Sequence, residues 1–292
     1  MSDSLSNLQR KIGSATELKS VVRTMKAMAA ASITQYENAV HALDDYFQTV
    51  QSGLQICLRH TGSMPGLPDK RAGHRNCAVI FGSDQGLIGQ FNEAILDFAI
   101  AELHKLPAGT DIWPVGERVQ SGLEGRRQQT GRVFRLPASL KAVTGFVADL
   151  LAQIESGRES GDIGAVYLFF HHPDKSAGYQ PVMQRLLPLD HDWRKDLLHR
   201  PWTSKRLPEV VDTPATVLRS LIAEYLFVSL FRACAESLAS ENASRLAAMQ
   251  RAEKNIDDIL DDLHQNFQHT RQEGIDEELF DLIAGFEALN AG

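Results

Sequence analysis

All 11 prolines of this 292-residue chain lie between Pro65 and Pro214, and 15 of its 21 glycines fall in the same stretch. Proline removes a backbone donor and kinks a helix at a cost of about 3 kcal/mol, and glycine weakens helices and strands alike. Long uninterrupted helices are therefore permitted only in the two proline-free ends. The chain divides into a head (1–64), a punctuated middle (65–214) and a tail (215–292), with net charges of +1, 0 and −8 that make up the total of −7. No segment carries the broad basic excess of a nucleic-acid binder. Cys57, Cys77 and Cys234 are odd in number, widely spaced and outside any CxxC, as expected of reduced cytosolic thiols. The start MSDSLSNLQRK lacks the apolar core of a signal peptide, and no 18-residue apolar run exists, so no membrane span is expected.

The head carries an apolar stripe from Leu8 through Ile12, Ala15, Leu18, Val22, Met25 and Ala29 to Val50, Leu54 and Cys57, with a mean spacing of 3.5 residues. That is the coiled-coil period rather than the 3.6 of a surface helix. Ser4 or Ser6 is the expected cap, and the cluster Gly62, Pro65, Gly66 and Pro68 the expected stop. The tail repeats the stripe through Leu221, Tyr225, Val228, Leu238, Leu246, Met249, Ile256, Ile259 and Leu263, is interrupted by polar residues 268–274, and resumes with Ile275, Leu279, Leu282, Phe286 and Leu289. Asp212, Thr213 and Pro214 suit a helix entry. At 1.5 Å per residue the two helices would span roughly 80 and 110 Å. A globule of this length would be only about 50 Å across. The expected architecture is a long antiparallel coiled coil of the N- and C-terminal helices with an α/β domain inserted between them.

In the middle, candidate strands at 77–82, 111–115, 132–136, 163–170 and 181–187 alternate with candidate helices at 93–106, 117–125 and 143–156. This order predicts a small, mostly parallel, Rossmann-like sheet with helices on its faces, ending in an antiparallel hairpin. A nucleotide-dependent enzyme would need GxGxxG or GxxxxGK[ST]. The loop Gly82-Ser83-Asp84-Gln85-Gly86-Leu87-Ile88-Gly89 fits neither, and the chain contains no Gly-Lys pair. His171-His172 and the expected loop Asp190-His191-Asp192 lack a third and fourth ligand at metal-site spacing. The acidic run 257–262 keeps the apolar stripe and reads as a solvated helix face. No catalytic residue, cofactor or metal site is expected.

Several motifs resemble the γ subunit of F-type ATP synthases, the central rotor shaft, over nearly the whole chain. Arg10-Lys11-Ile12-Gly13-Ser14 resembles its R-x-K-I-x-S start, and Val21, Arg23, Met25, Ala29 and Ala30 fall on K-I-T-K-A-M-E-M-V-A-A-S. Residues 83–89 with Asn92 resemble S-D-R-G-L-C-G-x-x-N. In the tail, 236–241 with Arg245, Met249, Ala252 and Asn255 resemble E-x-x-A-S-E-x-x-x-R-x-x-A-M-x-x-A-x-x-N. Arg271-Gln272, Ile275, Glu278, Leu279 and Gly285 resemble R-Q-x-x-I-T-x-E-L-x-E-I-x-x-G. Ser20, Lys26, Gln85, Ile88, Asp276 and Phe286 depart from the pattern, as in a divergent branch; proton coupling is the family default, and sodium coupling stays open.

The resemblance implies a non-catalytic shaft turned by a membrane c-subunit ring, resting on it with the ε subunit, peripheral to the cytoplasmic face of a bacterial inner membrane. The shaft drives conformational change in a head of α and β subunits. It implies head contacts at Arg10, Lys11, Arg23, Met25, Lys26, Arg271, Gln272, Glu278, Leu279, Leu282 and Phe286, the last three with Ile283 as an apolar bearing. From the residues alone, the charges read equally as solvated helix surface, and Leu279 and Leu282 as coiled-coil core. Residues 205–214 match the foot on the ring. The alternatives are a nucleotide-dependent α/β enzyme and a coiled-coil tether unrelated to rotation.

Overall fold

A computed structural model describes residues 2–61, 75–106, 109–174, 178–202 and 213–290, without the side chains of 2, 3, 60, 61, 281 and 286–290. The order is α1 (Ser2–Thr61), β1 (Arg75–Phe81), α2 (Phe91–Leu103), β2 (Thr110–Val115), α3 (Glu117–Gly125), α4 (Leu140–Glu159), β3 (Ile163–Asp174), β4 (Gly178–Leu187), α5 (His191–His199) and α6 (Pro214–Asn290). Both terminal helices form where proline is absent. α6 starts at Pro214, where the missing amide costs nothing, and Thr213 accepts from the Thr216 amide at 3.0 Å. It runs unbroken through Gly274 despite the polar interruption. α1 begins at Ser2, so Ser4 and Ser6 lie inside it rather than capping it. The expected stop cluster at 62–68, and all of the expected foot at 205–214 but its last two residues, lie outside the described residues.

The chain forms two compact units, Met1–Ala29 with Arg245–Gly292, and Ala30–Ser244. In the first, α1 and α6 run antiparallel around buried Val22, Met249, Ile256 and Leu260, flanked by Ile12, Ala15, Met25, Ala248 and Ala252. Five positions of the expected stripe, Leu18, Ile259, Ile275, Leu279 and Leu282, are exposed instead. A strict 3.5 repeat drifts on the helix surface, and here Val22 and the pair Ile256 and Leu260 carry the seam.

The second unit centres on a four-stranded sheet in the order β2-β1-β3-β4, parallel at β2-β1 and β1-β3 and antiparallel at β3-β4. Side chains alternate across a strand, so β1 sends Ala78 and Ile80 to a layer with Ile95 and Leu96 of α2 and Val119 and Leu123 of α3. Cys77, Val79 and Phe81 face the opposite layer, where α4 supplies Val147 and Leu150, α1 supplies Leu54 and Leu58, and α6 supplies Leu226 and Leu230. Covering both faces explains why β1 reads as a continuous apolar run. Each fully buried large side chain, such as Phe81 or Phe169, contributes about 1.5–3 kcal/mol.

The expected strand at 132–136 is not formed. Residues 130–134 touch β2 only through isolated bridges, Ile112 to Thr130 and Val115 to Phe134. The remaining strands and helices appear with ends shifted by a few residues. The segment Asp190-His191-Asp192, expected in a loop, opens α5, because the Asp190 carboxylate accepts the Trp193 amide at 3.0 Å as its N-cap.

Candidate interaction surface

The expected contact residues on α1 divide into two kinds. Arg10 and Lys11 are exposed, and Arg10 reaches Asn7 at 3.4 Å. Met25 is half-buried against the seam of the first unit. Arg23 and Lys26 instead share one carboxylate across the helix pair. Arg23 Nε donates to Glu253 Oε1 at 2.7 Å, and Lys26 Nζ bonds Glu253 Oε2. One turn along, Lys19 pairs with Asp257. Hydrogen bonds from Lys26 and Arg23 pull the Glu253 carboxyl down to about 2. The Lys26 cation is thus engaged inside the chain, and reversing it to glutamate would set a second carboxylate beside Glu253.

On α6, Arg271, Gln272 and Glu278 are exposed. Leu279 is 55% and Leu282 73% exposed, with Ile275, Phe280 and Ile283 exposed beside them. The coiled-coil-core reading of Leu279 and Leu282 therefore fails, since neither side chain is buried against α1. The Phe286 side chain lies outside the described residues. Among the described residues, the α1 and α6 contact candidates do not come together as one pocket.

The loop 82–89 is a structural knot. Ser83 is fully buried; its amide donates to Asn92 Oδ1 at 3.1 Å, and Asn92 Nδ2 donates back to Ser83 Oγ at 2.8 Å. Asp84 accepts the Glu117 amide at the start of α3 at 2.9 Å. Gly116 sits at φ +109 with the Ser83 carbonyl so close that a Cβ would lie 2.8 Å from its oxygen. Ser244 Oγ donates to the Ile88 carbonyl, tying α6 to the same loop.

The tail motif 236–241, which carries part of the family resemblance, is buried. Glu236 accepts from Arg232 Nε at 2.7 Å and meets His172 Nδ1 at 2.7 Å, and Ser240 Oγ donates to the His171 carbonyl at 3.2 Å. Arg232 also approaches Asp44 of α1 at 3.4 Å. This network locks α6 onto β3 and α1, a role that sequence reading missed: the partners are 64 and 192 residues away from Glu236. His171 itself is fully buried, stacked on Phe91 at 4.1 Å, with neither ring nitrogen hydrogen-bonded. Burial pushes its imidazole down to about 3, so it is neutral. Among the described residues, no three His, Cys, Asp or Glu side chains are grouped to hold a metal, and no helix is long and apolar enough to cross a membrane. All three cysteines are buried, and none forms a disulfide among the described residues.

Comparison with known proteins matches this arrangement. The ATP synthase gamma chain of Clostridium botulinum (strain Hall) is 25% identical over 289 residues, covering 97% of this chain and 98% of the relative. That of Geobacter metallireducens is 27% identical over 293 residues, with 98% and 99% covered. The family model described as ATP synthase matches residues 4–289. The chain belongs to the ATP synthase γ family. A chain in the cryo-EM structure of Euglena gracilis mitochondrial ATP synthase (OSCP/F1/c-ring, rotational state 3) shares the fold of this γ-family chain with TM-score 0.67 at 15% identity, covering 100% of this chain and 96% of that one. A chain in the central stalk and c-ring structure from Tetrahymena thermophila gives 0.57 at 20% identity, covering 80% and 99%.

Proposed function

We propose that this chain is the central rotor shaft of an F-type ATP synthase, coupling ion flow through a membrane ring of c subunits to ATP synthesis or hydrolysis on α and β subunits. The observation that carries this reading is the family match across residues 4–289. The shaft performs no chemistry itself. It biases the catalytic subunits by offering different contacts to their alternative conformations, since only such differences shift populations.

Two features support the assignment of surfaces. The apolar side chains Ile275, Leu279, Phe280 and Leu282 stand exposed on α6, which suits an apolar bearing in the head. Arg10, Lys11, Arg271, Gln272 and Glu278 offer exposed polar contacts to α and β. Lys26 and Arg23 belong to the shaft's internal ion pairs first, so their effect on the head is through what remains of their charge beside Glu253. The chain would sit with ε at the membrane surface, peripherally, on the cytoplasmic face of a bacterial inner membrane.

Co-purification with α, β and ε subunits followed by an ATPase assay tests this. A stable complex with ATP turnover confined to assemblies containing α and β is expected. ATP hydrolysis by the purified chain alone would revive the enzyme reading, and failure to join an α and β hexamer would leave only a tether.

A further inference from the structure

Residues 126–141 hold five cations, Arg126, Arg127, Arg132, Arg135 and Lys141, and not one acidic residue, in a chain of net charge −7. All five are exposed. The segment runs along the outer edge of β2, the end strand of the sheet, anchored by Gly131 N to Ile112 O at 2.8 Å and Phe134 N to Pro114 O at 2.9 Å. Nearby acids are already engaged: Asp97 accepts from Arg126 at 2.8 Å, and Asp111 accepts the Trp113 indole N–H at 2.7 Å. Arg127 and Arg135 have no carboxylate partner among the described residues. Nor does the outer side of the strap close on itself, since the amides of Arg132, Val133 and Arg135 meet no backbone acceptor among the described residues. Val133, between the arginines, is 45% exposed.

We infer that this strap is a docking edge for an extended acidic segment of a partner polypeptide, which would add to the sheet beyond residues 130–136. Free amides supply main-chain hydrogen bonds, Val133 gives an apolar contact, and the guanidiniums of Arg127 and Arg135 match carboxylates in bidentate fashion, while Arg132 is held by Gln153 and the Trp113 ring. A protein strand satisfies all three features. A lipid surface or a nucleic acid would use the charges and leave the backbone edge unpaired. The positive end of α4 adds to the field, because Ser139 makes no side-chain cap and the first turn holds Lys141 but no acid. The inference does not depend on rotation.

The test uses the full chain and poly-L-glutamate as the probe, a polymer that charge repulsion keeps extended. Wild type should bind it, and binding should weaken about tenfold in Arg127→Gln/Arg135→Gln, two side chains with no carboxylate partner among the described residues. Val133→Pro removes one edge amide without changing charge and should weaken binding severalfold. Val133→Asp, which keeps the backbone free but sets a carboxylate against the incoming strand, should do the same, so the outcome does not rest on a proline variant folding. Equal binding by wild type and the double arginine variant would overturn the site. Unchanged binding by both Val133 variants would reduce it to a polyelectrolyte attraction and overturn the edge pairing. Binding to phosphatidylglycerol vesicles but not to poly-L-glutamate would overturn the choice of partner.

Discussion

The two units hold α1 against α6 with different chemistry. In the first, four buried apolar residues form a narrow seam, and Glu253 with Asp257 receives Arg23, Lys26 and Lys19 at its flank. In the second, the same helices pack onto a sheet covered on both faces, and the polar groups that join them, Glu236, Ser240 and Ser244, are themselves buried. One region is held by a thin stripe and solvent-accessible charge, the other by volume and by hydrogen bonds whose α6 side chains are buried. The first should answer to pH and salt, the second to packing.

The sharpest way to break that contrast is in the sheet. Phe81→Ala should destabilise the second unit by about 3–5 kcal/mol, because a fully buried ring leaves a cavity that β1 cannot collapse into; urea unfolding measures it. Gly116→Ala should cost about 1–3 kcal/mol, since alanine is strained at φ +109 and its Cβ meets the Ser83 carbonyl. His171→Phe should go the other way and stabilise, by removing a buried imidazole with no hydrogen-bond partner. Its pH signature is distinctive. The folded state holds His171 near 3 against an ordinary 6.5, so the wild-type protein loses stability from this residue as pH falls from about 6.5 towards 3, and the phenylalanine variant does not. Thermal midpoints across that range decide it.

Glu253→Gln sharpens the other half of the comparison. Its carboxyl sits near 2 in the folded chain against an ordinary 4.5, so its contribution is fully present above about 4.5 and disappears as pH falls through 2. The melting difference between wild type and the glutamine variant should therefore close over that window, and also shrink in high salt. A pH-independent difference would mean that the ion pairs contribute nothing. The smallest effect on stability belongs to Arg271→Ala: an exposed side chain on α6 should change it by less than about 0.5 kcal/mol while weakening assembly with α and β.

Much of this arrangement was legible in the chain itself. Proline exclusion marked the extents of α1 and α6, and alternating apolar runs marked β1 to β4, because both patterns are local. The strand expected at 132–136 failed because its apolar residues, Val133, Phe134 and Leu136, lie among arginines beside an edge, where two isolated bridges replace a ladder. Leu279 and Leu282 kept a helical period but lost the partner that a period implies. The carboxylate at Glu253 could not be seen to matter, since nothing near it in sequence shows that Arg23 and Lys26, more than 220 residues away, would converge on it. The motif at 236–241 was visible in the sequence, but its role was not: burial makes it an internal fastening.

The shared carboxylate of Glu253 also limits how this lineage can change. With Arg23 and Lys26 converging on one acceptor, a glutamate at position 26 meets repulsion unless position 253 has already lost its acid, and losing that acid first strands two cations side by side. Reversion at one site therefore passes through a less fit intermediate by either route, so positions 23, 26 and 253 should be inherited as a set, and chimaeras that splice a head helix from one relative to a tail helix from another should fail most often where that set is split.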